Sequence, residues 1–248
     1  MDFSVVTISG MLIAAAAGFV QGLTGFGFAL LAMPVLARLI PVKQAVPVIV
    51  LLSLAANVVV FISCRKSASF KAIWRLAVSA LIAVPPGTFV LVYVAPEYIK
   101  LAAGIVVTAA AILMLTGKTF PVRNEKTACF PVGFVSGFLN GSISMSGPPV
   151  ALFLSNQNSD RNSFRANMVL YGIFLNIVTV GSFTAGNLLT KPVLTAAVLL
   201  LPFMAAGAGI GMLAAGKLNN AVFKRIALAL IIVSGSSTAF SALLTILQ

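Results

Sequence analysis

Long apolar runs separated by short charged stretches dominate the chain. Taken between charges, they occupy about 4–37, 44–64, 76–95, 99–117, 127–157, 166–190, 193–216 and 222–247. These eight segments have the length and composition of helices in a bilayer. The first and the fifth differ from the rest, because glycine, serine, threonine or proline interrupts each near its middle. The first carries GFVQGLTGFGFALLAMP from Gly18 to Pro34, and the fifth carries GFVSGFLNGSISMSGPP from Gly133 to Pro149.

The two interrupted segments are alike. Gly18 and Gly133 open similar motifs 115 residues apart, and Gly27 and Gly147 match at 120 after a short insertion. Asn57 and Asn176 follow at 119, and Pro85 and Pro202 at 117. Such self-similarity marks an internal duplication, with a first repeat over 1–125 and a second over 126–248 inside one transmembrane domain. If every segment crosses once, the 16 Lys and Arg divide evenly between the faces. If the interrupted segments return as hairpins, with roughly 15 residues per limb and each limb too short to span, the division becomes 12 to 4. Cytoplasmic loops carry the excess of Lys and Arg, so the hairpin topology is preferred and both termini are expected outside. The expected fold is an all-α integral membrane protein of two inverted repeats, each a broken re-entrant helical hairpin plus three transmembrane helices. Secondary transporters recurrently use that plan, with the broken elements meeting near the midplane.

Composition narrows the chemistry. Hydrophobic residues make up 60% of the chain and charged residues 8%, which excludes an ordinary soluble enzyme. The net charge of +12 is read as loop charge in a membrane protein, not as a nucleic-acid surface. Histidine is absent, which removes the commonest general base and metal ligand. Cys64 and Cys129 are too few for a zinc site and read as free thiols. Asp2, Glu97, Glu125 and Asp160 all fall at segment ends or loops, so a proton relay through buried carboxylates is not expected. No metal or cofactor is expected. The opening MDFSVV lacks the positive region of a cleaved signal, and the first apolar segment is expected in the mature protein.

Irregular backbone at membrane depth is tolerated where it lines a cavity or is buried in protein. The breaks therefore mark the candidate site. Ser146, Gly147, Pro148 and Pro149 read as a helix start, matched in the first element by Thr24, Gly25, Phe26 and Gly27. Two half-helix N-termini pointing to the centre would favour an anion, and Gly25, Gly27 and Gly147 would let it approach the backbone. Gly18, Gly22, Gly133, Gly137 and Gly141 lie at four-residue spacing and read as packing positions. Ser142, Ser144 and Ser146 serve either a ligand or loose backbone, and Gln21 and Asn140 are weaker candidates of that kind. Asn57 and Asn176, one amide per half, serve either a ligand or helix pairing. Arg165, at the entrance to the span after the second break, reads as a solvated loop charge or as a lure for anions. Trp74 and Tyr98 read as interfacial anchors. Gly207, Gly209, Gly211 and Gly216 suit dimerisation or internal packing.

The paired elements, GFVQGLTGFGFALLAMPVL from Gly18 and GFVSGFLNGSISMSGPPVALFL from Gly133, resemble those of the sulfite exporter TauE/SafE family of membrane permeases. The resemblance covers essentially the whole chain. It implies an inner-membrane transporter for small sulfur-containing anions such as sulfite, sulfonates or sulfoacetate. Phe26 and Phe28 around Gly27 depart from the glycine-richest versions of the first element, so the rings narrow the site or contact an organic tail. The expected activity is secondary transport of a small anion by alternating access, with substrate contacts from Thr24, Gly25, Phe26, Gly27, Asn57, Ser144, Ser146, Gly147, Arg165 and Asn176. A passive anion channel is the competing reading. An enzyme is not expected, and the expected partners are the anion, the lipid bilayer and a second copy of the chain.

Overall fold

The computed structural model describes residues 3–116, 125–155, 161–215 and 220–247. Regular structure among them is helical throughout: α1 (Phe3–Thr24), α2 (Phe28–Leu39), α3 (Val42–Cys64), α4 (Phe70–Tyr93), α5 (Pro96–Thr116), α6 (Glu125–Ile143), α7 (Gly147–Ser155), α8 (Arg161–Ala185), α9 (Lys191–Ala214) and α10 (Asn220–Leu247), with one 3-10 turn at Arg65–Ser67. Among the described residues, Val5–Thr24, Val42–Ser67, Phe70–Tyr93, Pro96–Leu113, Asn162–Ala185 and Lys191–Ala214 are long and apolar enough to cross a membrane. The apolar runs of the sequence map onto these helices one for one, except that the first and fifth each divide in two.

The divisions fall at the expected breaks, but the limbs are unequal. α1 has 22 residues and α6 has 19, so they extend about 33 and 28 Å at 1.5 Å per residue. A hydrocarbon core is about 30 Å thick. α2 has 12 residues and α7 has 9, or about 18 and 14 Å. The picture of matched limbs of about 15 residues is therefore corrected to one long and one short limb at each break. The physical reason lies in the glycines upstream of the breaks, which sit within continuous helix.

Those glycines let backbones touch. A Cβ on Gly18 would overlap the Met204 carbonyl oxygen of α9, and one on Gly22 that of Ala208. On α6, side chains at Gly133, Gly137 and Gly141 would overlap the carbonyl oxygens of Leu76, Ala80 and Val84 on α4. Small residues permit such close packing where lipid offers no hydrophobic drive between helices. α1 is thus seated on α9, α6 on α4, and α5 on α10, so the two halves of the chain interlock. Gly207 and Gly211 close the same contact from the α9 side, against the carbonyls of Ala15 and Phe19. Of their two readings, dimerisation or internal packing, these contacts are internal packing. Gly209 faces open space, and Gly216 lies outside the described residues.

Two apolar cores result, one built on α1, α2 and α3 and the other on α4, α6, α7 and α8, and Phe26 packs against both. Among the charges, Lys43 donates from Nζ to the Val92 carbonyl at 2.6 Å, in the last turn of α4, where free carbonyls and the negative dipole end attract a cation. Asp2, Lys118, Arg123, Asp160 and Lys217 lie outside the described residues, as do the side chains of Glu125, Lys126, Arg161, Lys224 and Arg225.

Candidate functional site

α1 ends because Gly25 turns left-handed, at φ +84°, a conformation glycine adopts without steric cost. Its N–H returns to the Gln21 carbonyl at 2.8 Å, which closes the helix in the manner of a glycine C-terminus. Two residues on, Gly27 at φ +102° redirects the chain into α2. The second break follows the same plan with a different residue. Ser144 holds φ +61°, its N–H reaches the Asn140 carbonyl at 3.0 Å, and the Met145 N–H reaches that of Leu139 at 3.1 Å. Left-handed backbone costs a non-glycine residue roughly 1–2 kcal/mol. Ser144 offsets it by donating from Oγ to the Val46 carbonyl at 2.8 Å, a bond of about 0.5–1.5 kcal/mol.

Between the breaks lies a chain of hydrogen bonds with a fixed direction. The Phe28 N–H, in the first turn of α2 and so without an acceptor inside the helix, donates to Gln21 Oε1 at 3.2 Å. A backbone N–H only donates, so Gln21 presents its oxygen there and its Nε2 elsewhere. Nε2 donates to the Gly25 carbonyl at 3.2 Å and to Asn57 Oδ1 at 2.5 Å. Asn57 must then turn Nδ2 the other way, toward Gly172, whose missing side chain makes room: a Cβ there would sit 2.5 Å from Nδ2.

Both breaks and Asn57 wall one cavity of about 440 Å³, its open mouth included. The first break supplies Gly25 to Leu30, and the second supplies Ser144 to Pro148. Gln21, Ser53, Asn57, Met168, Tyr171 and Gly172 complete the wall. Every one of these lining residues is uncharged. Tyr171 is buried, and its hydroxyl donates to Ser136 Oγ at 2.8 Å, which in turn donates to the Ser146 carbonyl at 2.8 Å. That path ties the second break to α8.

The structure thus gathers Gly25, Phe26, Gly27, Asn57, Ser144, Ser146 and Gly147 around one space. Thr24, Asn176 and Arg165 are not in its wall. Thr24 Oγ1 donates to the Val20 carbonyl at 2.8 Å and accepts from the Phe26 N–H at 3.3 Å, so it shapes the turn. Asn176 Oδ1 accepts from Asn140 Nδ2 at 3.0 Å, and the same Nδ2 reaches Thr179 Oγ1 at 2.8 Å, a buried clasp between α6 and α8. Arg165 donates from Nη2 to the Gly22 carbonyl, among the last carbonyls of α1, and its chain packs on Gly25. Its guanidinium thus ties α8 to the end of α1, outside the cavity wall. The two helix starts also differ. α7 opens Gly147, Pro148, Pro149 and so lacks two of its first amides, whereas α2 opens Phe28, Ala29, Leu30 and keeps all of its own.

These contacts repeat at a constant 119 residues: Gln21 with Asn140, Asn57 with Asn176, Gly25 with Ser144, and the helix starts Phe28 with Gly147. The register pairs Gly18 and Gly22 with Gly137 and Gly141, so the pairing of Gly18 with Gly133 and its insertion are corrected. Ser53, Met168, Tyr171 and Gly172 were not foreseen as wall residues. Ser53 stands one helical turn before Asn57 and was findable by that spacing; the other three carry no signal in the sequence alone.

The family model of the sulfite exporter TauE/SafE matches residues 10–238, nearly the whole chain. No curated protein and no solved structure matches it.

Proposed function

Because the chain belongs to the sulfite exporter TauE/SafE family and is thereby a multi-pass membrane transporter, we propose that it carries a small sulfur-containing or organic anion, such as sulfite, a sulfonate or a sulfoacetate-like molecule, by alternating access across the cytoplasmic membrane. The observation that carries this reading is the direction of the hydrogen bonds around Asn57. An amide Nδ2 without a protein acceptor among the described residues stands on the wall of a cavity beside the first turn of α2. The amides of Ala29 and Leu30 belong to that turn, whose positive dipole end favours negative charge. Anion oxygens would take these donors. Phe26, Met145 and Met168 supply apolar wall for an organic tail.

A neutral donor set suits release as well as capture. A lysine or arginine in the wall would hold an anion by charge, and a carrier must let go on the far side. The interlocked halves and the contacts that recur at 119 residues support an inverted repeat with the cavity between its copies. In this reading the two halves rock about Asn57 and Ser144, and both termini lie outside. The reading is of a carrier, which the uncharged donors of the wall suit by binding an anion without holding it.

Purified protein in proteoliposomes tests it. Labelled sulfite or methanesulfonate should enter saturably and accumulate against its own gradient when a sodium or proton gradient is imposed. Flux that only follows the anion gradient would make the protein a channel, and no flux under any gradient would overturn the reading.

A further inference from the structure

We infer that Gln21 sets the polarity of the binding site: it is the positioning residue that makes Asn57 a donor to the cavity, so the site accepts anions only while residue 21 can offer hydrogen to Asn57. The inference rests on the reading of this cavity as the anion site and adds to it the element that decides which kind of ligand group is admitted.

Asn57 by itself has no preferred sense, since its oxygen and nitrogen occupy nearly the same volume and either could face the cavity. What removes the ambiguity is two hydrogen bonds away. The Phe28 N–H can only donate, so Gln21 Oε1 faces it at 3.2 Å. The other end of the same amide is then a donor, and it reaches Asn57 Oδ1 at 2.5 Å. Gln21 is 3% exposed and Asn57 is also 3% exposed, so water does not compete for the pair. Nδ2 is left beside Gly172 on the cavity wall, with two N–H groups to give. In the second half, Asn140 meets Asn176 with the same sense, but neither residue lines the cavity, so the device acts on a ligand only in the first half.

Gln21→Glu reverses the device without changing shape. The introduced carboxylate still accepts from the Phe28 N–H, but its second oxygen offers no hydrogen. Asn57 must then rotate, give Nδ2 to that oxygen and show Oδ1 to the cavity. When the carboxyl is protonated its single O–H is given to Asn57 Oδ1, the shorter of the two contacts, and the original sense returns, although the Gly25 carbonyl loses the second hydrogen that Gln21 Nε2 supplied. The sense therefore follows the protonation of that carboxyl, and binding is compared between about pH 5 and about pH 9.

The experiment measures methanesulfonate binding, because that probe stays anionic throughout, together with side-chain amide hydrogen exchange, the signals being assigned by their loss in Asn57→Asp and Gln21→Glu. In the wild type the Asn57 amide protons should exchange faster than those of Gln21 and slow when methanesulfonate is added. In Gln21→Glu, affinity should be near wild type at the acid end and at least tenfold weaker at the alkaline end, where the Asn57 protons become protected. Charge repulsion alone would weaken binding but leave those protons unprotected, and that outcome overturns the inference. So does a wild type in which Asn57 is the protected amide, or a flat pH profile in the variant. If the exchange pattern holds but the wild type binds no anion, the orientation stands and the transport reading falls instead.

Discussion

Asn140 Nδ2 donates to Asn176 Oδ1 at 3.0 Å across 36 residues of chain, the separation that also divides Gln21 from its partner Asn57. The two pairs hold equivalent places, but Asn57 walls the cavity and Asn176 does not. Their removal should therefore read out differently. Asn176→Ala should lower stability by about 0.6 kcal/mol, the average for a hydrogen bond between membrane helices, with anion flux retained. Asn57→Ala should abolish at least nine-tenths of the flux at a similar cost in stability. Unfolding in mixed detergent and flux in proteoliposomes measure both. Equal loss of flux in the two variants would mean that Asn57 acts through packing.

Gly25 and Ser144, both left-handed, make opposite demands on substitution. Gly25→Ala places a Cβ at φ +84° and 2.6 Å from Arg165 Cγ, so strain and overlap add, and a loss of about 2 kcal/mol or more is expected. Ser144→Gly relieves roughly 1–2 kcal/mol of backbone strain while losing a bond to Val46 of about 0.5–1.5 kcal/mol. The result should lie within about 1 kcal/mol of wild type. Unfolding midpoints of the two variants, compared side by side, check the contrast.

How much of this was legible in the sequence follows from what each residue type reveals alone. Apolar runs located every described helix, and the clusters at Gly25–Gly27 and Ser144–Gly147 located both breaks, because a left-handed turn needs residues that tolerate it. The limb lengths were not legible: four-residue spacing marked Gly18 and Gly22 as packing positions, but that the helix runs unbroken through them depends on what lies across from them, the backbone of α9. Asn57 and Asn176 could not be ranked for the same reason. Each is one amide in an apolar span, and whether it faces a cavity depends on neighbours such as Gly172 and Thr179 that come from packing. For Arg165 the sequence shows the charge but not the contact it makes with a carbonyl at the end of a helix 143 residues away.

The contact between α1 and α9 carries its own control. A Cβ at Gly22 or at Gly207 would overlap carbonyl oxygen of the opposite helix, whereas one at Gly209 meets nothing within 4 Å. Gly22→Ala and Gly207→Ala should each lose several kcal/mol or fail to accumulate in the membrane. Gly209→Ala should be neutral or gain up to about 1 kcal/mol from helix propensity. Yield of folded protein by size-exclusion chromatography separates them. A stable Gly207→Ala would show that these helices are held some other way.

Arg165 is expected to act on folding more than on affinity. Its guanidinium donates to Gly22 at the end of α1, and hydrogen bonds to charged groups contribute about 1.5–3 kcal/mol. Arg165→Gln should therefore lower the unfolding midpoint. Arg165→Lys, which keeps the charge and can still reach one carbonyl, should recover part of it. The KM for anion flux should change less than threefold in the lysine variant. A KM that rises with ionic strength in the wild type but not in Arg165→Gln would return the residue to a steering role.

Gly147 tests the cavity by size. A Cβ there would lie 3.6 Å from the Phe26 ring, an ordinary contact, so Gly147→Ala should fold with a change in stability within about 1 kcal/mol. It would nevertheless place a methyl group in the space that both breaks enclose, where Phe26 already projects and stacks edge-on against Phe164 at 6.1 Å. Bulk at this point should count against a ligand before it counts against the fold, and Gly147→Leu should abolish flux while the protein still elutes as a single folded species. The loss should be reversible by subtraction on the opposite side. Phe26→Ala removes a ring from the same wall, so the double variant with Gly147→Ala should regain flux that Gly147→Ala alone has lost. Recovery in the double variant would place the ligand between residues 26 and 147, whereas additive losses from the two changes would mean that they touch it separately or not at all.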